Sequence, residues 1–165
     1  MRGAAATHGQ GALDGRGHAM LPQHREVSWA LLIDTQNRFL FQQRDDVPWI
    51  IAPGKISNFG GHREGRETFL DCVVREVHEE TGVALPPERF LHLASYRGFD
   101  PECEGGWLSG ESYVVRDVLA ECFRVTEGSL VVAKRSDLAL LGPKFAPLAR
   151  LTIEQFLGCS LASLG

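Results

Sequence analysis

The sequence predicts an α/β layer structure, and three observations carry that expectation. Apolar, β-rich segments stand on both sides of one central helix, read from FLDCVVREVHEET. A second helix closes the chain, and no internal repeat or change of composition divides the 165 residues into two units. A chain of this length suits one domain with a sizeable core.

The elements follow in order. Residues 1–22 open with MRGAAATHGQGALDGRGHAM, rich in Gly and Ala and without the continuous apolar run of a signal peptide, and read as a flexible leader. The domain is expected in 23–165. Residues 26–34, EVSWALLID, are dense in Val, Trp and Leu and predict a strand; 35–38 form a polar turn, and 39–43 alternate as a second strand. Pro48 and Pro53 make 45–53 a loop, and 56–59 deliver the chain to Gly60 and Gly61. After the central helix, Pro86 and Pro87 break the chain ahead of a strand over 90–96. Residues 97–110, rich in Gly and acids and holding Trp107, predict a long loop of the kind that carries specificity. Strands are expected at 113–119 and 129–133. Thr152 and Gln155 form a capping-box pattern ahead of Ile153, Phe156 and Leu157, and Gly158 ends that last helix.

The chemistry concentrates in the central helix. Glu76, Glu79 and Glu80 stand at i, i+3 and i+4, so their side chains share an arc of about 100° beside Leu70, Val73, Val74 and Val77. Three like charges this close repel one another, and only Arg75, four residues before Glu79, lies near in sequence to offset them. A solvated acidic face is one reading of such a triplet. A site for a hard divalent cation is the other, since clustered oxygen ligands suit Mg²⁺ or Mn²⁺. Gly60 and Gly61 supply backbone able to approach a cation or phosphate, Gly65 and Glu67 stand at the helix entrance, and Thr81 and Gly82 end the helix.

The pattern is longer than the triplet. Gly61, Glu67, Arg75-Glu76-Val77, Glu79-Glu80 and Gly82-Val83 fall at the spacings of the Nudix box, and over 61–83 the chain resembles the Nudix hydrolase family at every defined position. The resemblance implies the Nudix fold, a mixed β-sheet sandwiched between helices. It implies metal ligands at Gly61, Glu76, Glu79 and Glu80, with Glu67 and Arg75 bracing the loop and helix. It also implies Mg²⁺-dependent hydrolysis of a phosphoanhydride in a nucleoside diphosphate linked to another group X, with a small-molecule nucleotide as substrate. Many relatives are dimers, and the apolar stretch 128–141 offers surface for a homodimer.

A carboxylate must take the proton of the attacking water. Glu79 and Glu80 qualify by position, but a cation makes its own ligands poorer bases. In many relatives the base comes from a loop beyond the box, and Glu127, before Gly128, is the first candidate here, ahead of Glu111 and Glu121. Arg44, where the second strand ends, can steer a phosphate or sit as a solvated rim residue. Two further readings stand beside the enzyme: a Nudix-fold module that binds a nucleotide without cleaving it, which usually departs from the box, and a hydrolase that removes a nucleotide cap from RNA. A formal net charge of −4 and the lack of a basic, aromatic-rich segment weigh against the last.

The remaining composition excludes other classes. Cys72, Cys103, Cys122 and Cys159 are irregularly spaced, with neither a zinc pattern nor a disulfide framework, and fit reduced thiols in a cytoplasmic setting. Cys72 reads as packing, because no base is placed beside it. His62, beside the glycine loop, can touch substrate but reads first as an exposed loop histidine. No apolar run reaches the length of a membrane span. Between Leu85 and Trp107 no short signature selects X.

Overall fold

The computed structural model describes residues 24–164; the leader expected over 1–22 lies outside the described residues. Strand β1 (His24–Asp34) turns at 35–38 into β2 (Phe39–Gln43). Asp34 makes that turn: its Oδ1 accepts from the N–H groups of Gln36 and Arg38 at 2.9 and 2.8 Å, and its Oδ2 accepts from Arg38 Nε at 2.7 Å. Short strands β3 (Ile56–Ser57) and β4 (Phe59–His62) lead into helix α1 (Phe69–Thr81). A hairpin of β5 (Leu91–Phe99) and β6 (Trp107–Val118) follows, then β7 (Ser129–Ala133), α2 (Leu138–Leu141) and α3 (Pro147–Leu157).

The strands form one mixed seven-stranded sheet in the order β3-β2-β1-β6-β5, with β4 beside β1 and β7 beside β2. β1 runs parallel to β6, Val27 opposite Gly110 and Leu31 opposite Val114, and antiparallel to β2 and β4. Its side chains alternate between two buried faces, as strand geometry requires. Leu31 and Ile33 pack with Phe39, Phe41, Ile56, Phe145, Ala149 and Ile153, the side covered by α3. Ala30 and Leu32 pack with Leu40, Phe59, Val73, Val77 and Val115, the side covered by α1. The expected mixed sheet between helices is what forms.

Three expectations need correction. Half of the loop expected over 97–110 is strand, and only 100–106 connects β5 to β6. Gly110 serves packing, since a Cβ there would lie 2.5 Å from Trp29 Cζ3 and 2.7 Å from the Val27 carbonyl oxygen, while Gly105, at φ 74°, serves the turn. The last helix begins at Pro147, whose missing N–H suits the first turn. Thr152 is therefore mid-helix, its hydroxyl donating to the Leu148 carbonyl at 2.7 Å and accepting from Trp29 Nε1 at 2.6 Å. Finally, the apolar stretch 128–141 is largely spent within the subunit: β7 pairs with β2 and Leu138 is buried, which leaves Val132 and Leu140 as its exposed large side chains. No helix among the described residues is long and apolar enough to cross a membrane.

Candidate active site

Helix α1 is fixed at both ends. Thr68 and Asp71 form a reciprocal capping box at its start, and Gly82, in the left-handed region at φ 71°, closes it. The glycines of β4 lie between α1 and β1. A Cβ at Gly60, where φ is 147°, would sit 2.2 Å from the Ser28 carbonyl oxygen, and one at Gly61 would sit 2.4 Å from the Glu76 carboxyl carbon. Only glycine lets the backbone pass this close. The Gly61 backbone is thus pressed against Glu76, while the Gly60 N–H donates to Glu80 Oε2 at 2.8 Å.

Glu76 and Glu80 line a cleft of about 350 Å³, together with Gly60, Gly61, Arg44, Glu64 and Glu127. Burial raises the Glu80 carboxyl to about 8; the Gly60 N–H and Arg44 oppose the rise, while Glu76 and Glu127 add to it. Glu76 is raised as well, chiefly by burial and against the pull of Arg75. Two half-buried carboxylates that resist ionising together mark a place short of positive charge.

Glu79 departs from this pair. It is exposed, binds Arg75 at 3.1 Å and is not among the residues that line the cleft. Arg75 is the organiser of the strip. Its Nε and Nη2 hold both oxygens of Glu67 at 3.2 and 2.7 Å, Nη1 reaches Glu76 at 2.8 Å, and Nη2 also donates to the His62 carbonyl at 3.0 Å. Glu67 in turn accepts from the Glu64 N–H at 2.7 Å, and its carboxyl is held below the usual range mainly by the bonds from Arg75. Cys72 is buried with its thiol pushed up to about 12 by burial and by Glu67 and Glu76, so it remains a packing residue.

The loop after β6 is stitched to the end of α1. The Thr126 N–H donates to the Glu80 carbonyl at 3.0 Å, and Gln42 Nε2 donates to the Glu127 carbonyl at 3.0 Å. Glu127 consequently lines the cleft on Glu80's side. The other two base candidates are elsewhere: Glu111 accepts from the Tyr113 hydroxyl and lines a separate hollow with Phe69 and Tyr96, and Glu121 is exposed outside the cleft. Arg44 lines the cleft, and its buried Nε has no hydrogen-bond partner among the described residues.

Several cleft residues escaped the sequence reading. Arg25, 5% exposed, pairs with Asp100 at 2.9 Å and Glu102 at 3.5 Å, and donates to Cys103 Sγ at 3.3 Å, tying β1 to the β5–β6 loop. Glu102 lines the cleft, its carboxyl raised by burial against the pull of Arg25. His62, unlike these, was singled out by the sequence as an exposed loop histidine near the glycines; it is exposed, lines the cleft and accepts from Arg25 Nε at 3.3 Å. Asn58, between β3 and β4, is buried in the cleft wall. Partners some 75 residues apart leave no local pattern to read.

Among the described residues no three His, Cys, Asp or Glu side chains converge on a point that holds a metal ion. The donors in reach of one another are Glu76, Glu80 and the Gly61 backbone, all hard oxygen. That set fits Mg²⁺ or Mn²⁺, which take one or two carboxylates and complete their octahedron with water and phosphate oxygens.

Comparison with known proteins agrees with this architecture. The family model described as NUDIX domain matches residues 22–149. A curated relative, the NAD-capped RNA hydrolase NudC of Stutzerimonas stutzeri (strain A1501), is 28% identical over 113 residues, 64% of this chain; the match spans 36% of that relative's length. Among solved structures, the MutT NUDIX hydrolase of Burkholderia pseudomallei superposes with a TM-score of 0.65 at 24% identity, covering 81% of this chain and 98% of that one. The NUDIX domain of Shewanella oneidensis NrtR, complexed with ADP ribose, superposes with a TM-score of 0.65 at 19% identity, covering 88% and 92%. With the box residues gathered between α1 and β4 and the family's domain matched along most of its length, the chain belongs to the Nudix hydrolase family.

Proposed function

We propose that this protein is a metal-dependent pyrophosphohydrolase that cleaves the phosphoanhydride of a nucleoside diphosphate linked to a second group X. The observation that carries the reading is the pair Glu76 and Glu80, half-buried on one wall of a cleft with Arg44 and Glu127 also on its lining. Among the described residues Glu76 shares Arg75 with Glu67 and Glu79, and Glu80 has Arg44 as an opposing charge but forms no ion pair with it. Glu76, Glu80 and the Gly61 backbone are the proposed cation ligands. Glu79 is proposed with them from its place in the strip, although here Arg75 holds its carboxylate toward solvent. A divalent ion held there supplies charge neutralisation for a diphosphate and acidifies the attacking water.

The remaining roles belong to the chain itself. Arg44, which lines the cleft and whose buried Nε has no hydrogen-bond partner among the described residues, binds the phosphates. Glu127, anchored through its backbone and free at its exposed carboxylate, accepts the proton of the attacking water. Arg75 and Glu67 are positioning residues that hold the helix strip against the glycine loop. The donor chemistry of the site, all oxygen, favours Mg²⁺ or Mn²⁺ over softer ions.

The test is a panel of ADP-ribose, NAD, dinucleoside polyphosphates, nucleoside triphosphates and an NAD-capped RNA, incubated with Mg²⁺ or Mn²⁺ and assayed for nucleotide and phosphate release. AMP from ADP-ribose or NAD, abolished by excess chelator, is the expected result. The NudC relative is named for NAD-capped RNA, which is why that substrate stands in the panel. Tight binding of ADP-ribose with no release from any member would replace the enzyme by the non-cleaving nucleotide-binding module. A homodimer is part of the proposal, to be checked by light scattering.

A further inference from the structure

Asn58 is the residue between β3 and β4, and its neighbours leave in opposite directions. Ile56 enters the core under α3 and Phe59 the core under α1, both essentially fully buried. Asn58 itself is 7% exposed and lines the cleft, yet neither its side-chain nitrogen nor its oxygen has a hydrogen-bond partner among the described residues. A buried amide unpaired at both ends weakens the folded state, and an apolar side chain of the same size would not. The amide therefore has no folding role that leucine could not fill.

Its surroundings say what it faces. On one side Ser57 pairs with Gln42, so β2, which leads into Arg44, runs alongside. On the other, the Ile56 carbonyl accepts from the Ala146 N–H at 2.8 Å, which brings the start of α3 against this step in the chain. Two residues further on is Gly60, whose N–H holds Glu80. The same cleft is lined by Ile51, Ala52, Ala146 and Ala149, apolar and mostly short. An unpaired donor and acceptor in one plane, in a cleft that holds both these apolar side chains and the proposed phosphate-binding arginine, matches a nucleobase, which has apolar faces and a polar edge. A sugar carries hydroxyls on every side and would waste those walls.

We propose that Asn58 is a specificity-determining residue that reads the edge of the nucleotide's base through paired hydrogen bonds from its amide. The inference rests on the proposed nucleotide site, but not on turnover there. Binding of nucleoside monophosphates, which hold no anhydride to cut, is measured by calorimetry against ribose 5-phosphate in the same buffer. The wild-type protein is expected to bind at least one of AMP, CMP, GMP and UMP about tenfold or more tighter than ribose 5-phosphate, the discrimination an amide gains from a bidentate base edge. Asn58→Leu is expected to bring that ratio close to one, with ribose 5-phosphate affinity retained and the ligand-free melting temperature unchanged or higher.

The inference is overturned by a base preference that survives in Asn58→Leu. It is overturned equally by a wild-type protein with no base preference, or by a large drop in the ligand-free melting temperature, which would make the amide structural. Base-selective binding without hydrolysis of any panel member would remove the proposed reaction and keep the role of Asn58. Hydrolysis with no base preference would do the reverse.

Discussion

The backbone N–H of Gly60 donates to the Glu80 carboxylate at 2.8 Å, so the loop that needs glycine and the helix that carries the acids are joined at one hydrogen bond. The bond favours the ionised carboxylate, yet burial and the charges of Glu76 and Glu127 prevail and leave Glu80 near 8. Between about 4.5, its ordinary value, and about 8, folded Glu80 keeps a proton that the unfolded chain has lost. Stability from this group therefore falls as pH rises through that window and is lowest above it. Urea unfolding in chelator from pH 5 to 8 should show a downward trend in the wild type that is weaker in Glu80→Gln. Equal slopes in the two proteins would mean that Glu80 ionises normally.

Glu127→Gln tests the proton acceptor. Its carboxylate is exposed and its backbone, not its side chain, holds the loop, so folding should be unaffected. Turnover should fall by about 10²- to 10⁴-fold at every Mg²⁺ concentration. Near-normal turnover at saturating Mg²⁺ would remove Glu127 from the reaction.

Glu76→Gln should behave differently. The change removes a negative charge from the cation site without changing shape, so higher Mg²⁺ should recover part of the lost rate. A rate deficit that stays constant across a Mg²⁺ titration would assign Glu76 some role other than ion binding.

Arg75→Lys keeps the charge and loses the fork. Both bonds to Glu67 and the bond to the His62 carbonyl need the planar guanidinium, and an ammonium cannot make them together. We expect kcat to drop about tenfold or more and melting temperature to fall by a few degrees, since one charge-assisted bond contributes about 1.5–3 kcal/mol. A variant with unchanged kcat would show that the strip orders itself without Arg75.

Thr152→Val removes the acceptor of the Trp29 indole. Both side chains are buried, so the indole N–H is left unpaired at a cost of about 1–3 kcal/mol. Chemical denaturation measures this directly, and a variant as stable as wild type would mean that another acceptor takes the N–H.

How much of this was legible beforehand depends on how local the cause is. The ends of β2 and β7 are written in their flanking turn residues, and the α1 carboxylates in helical spacing, so all of these could be read. Gly98 and Gly110 looked like loop because glycine's usual reason is a turn, whereas Gly110 here makes room for Trp29, some eighty positions earlier. Thr152 resembled a cap because its true partner, Trp29, is remote in sequence. The helical periodicity placed Glu79 in the strip but not its direction, which is set by Arg75. Arg25, Asp100 and Glu102 meet only because β1 and the β5–β6 loop adjoin in the fold.

The parallel pairing of β1 with β6 also has a consequence during synthesis. Ser28 and Glu111, opposite each other in that ladder, are 83 residues apart, while β2 and β4 on the other side of β1 follow within a few tens of residues. At ribosomal rates of about 5–20 residues per second, one edge of the most apolar strand waits roughly 4–17 s for its partner. For that interval the nascent chain presents an open, hydrophobic strand edge, the kind of surface that chaperones cover and that seeds aggregation when they do not. Slow translation between β4 and β6 would lengthen that exposure, so yield of soluble protein should depend on codon choice there more than in the α3 segment.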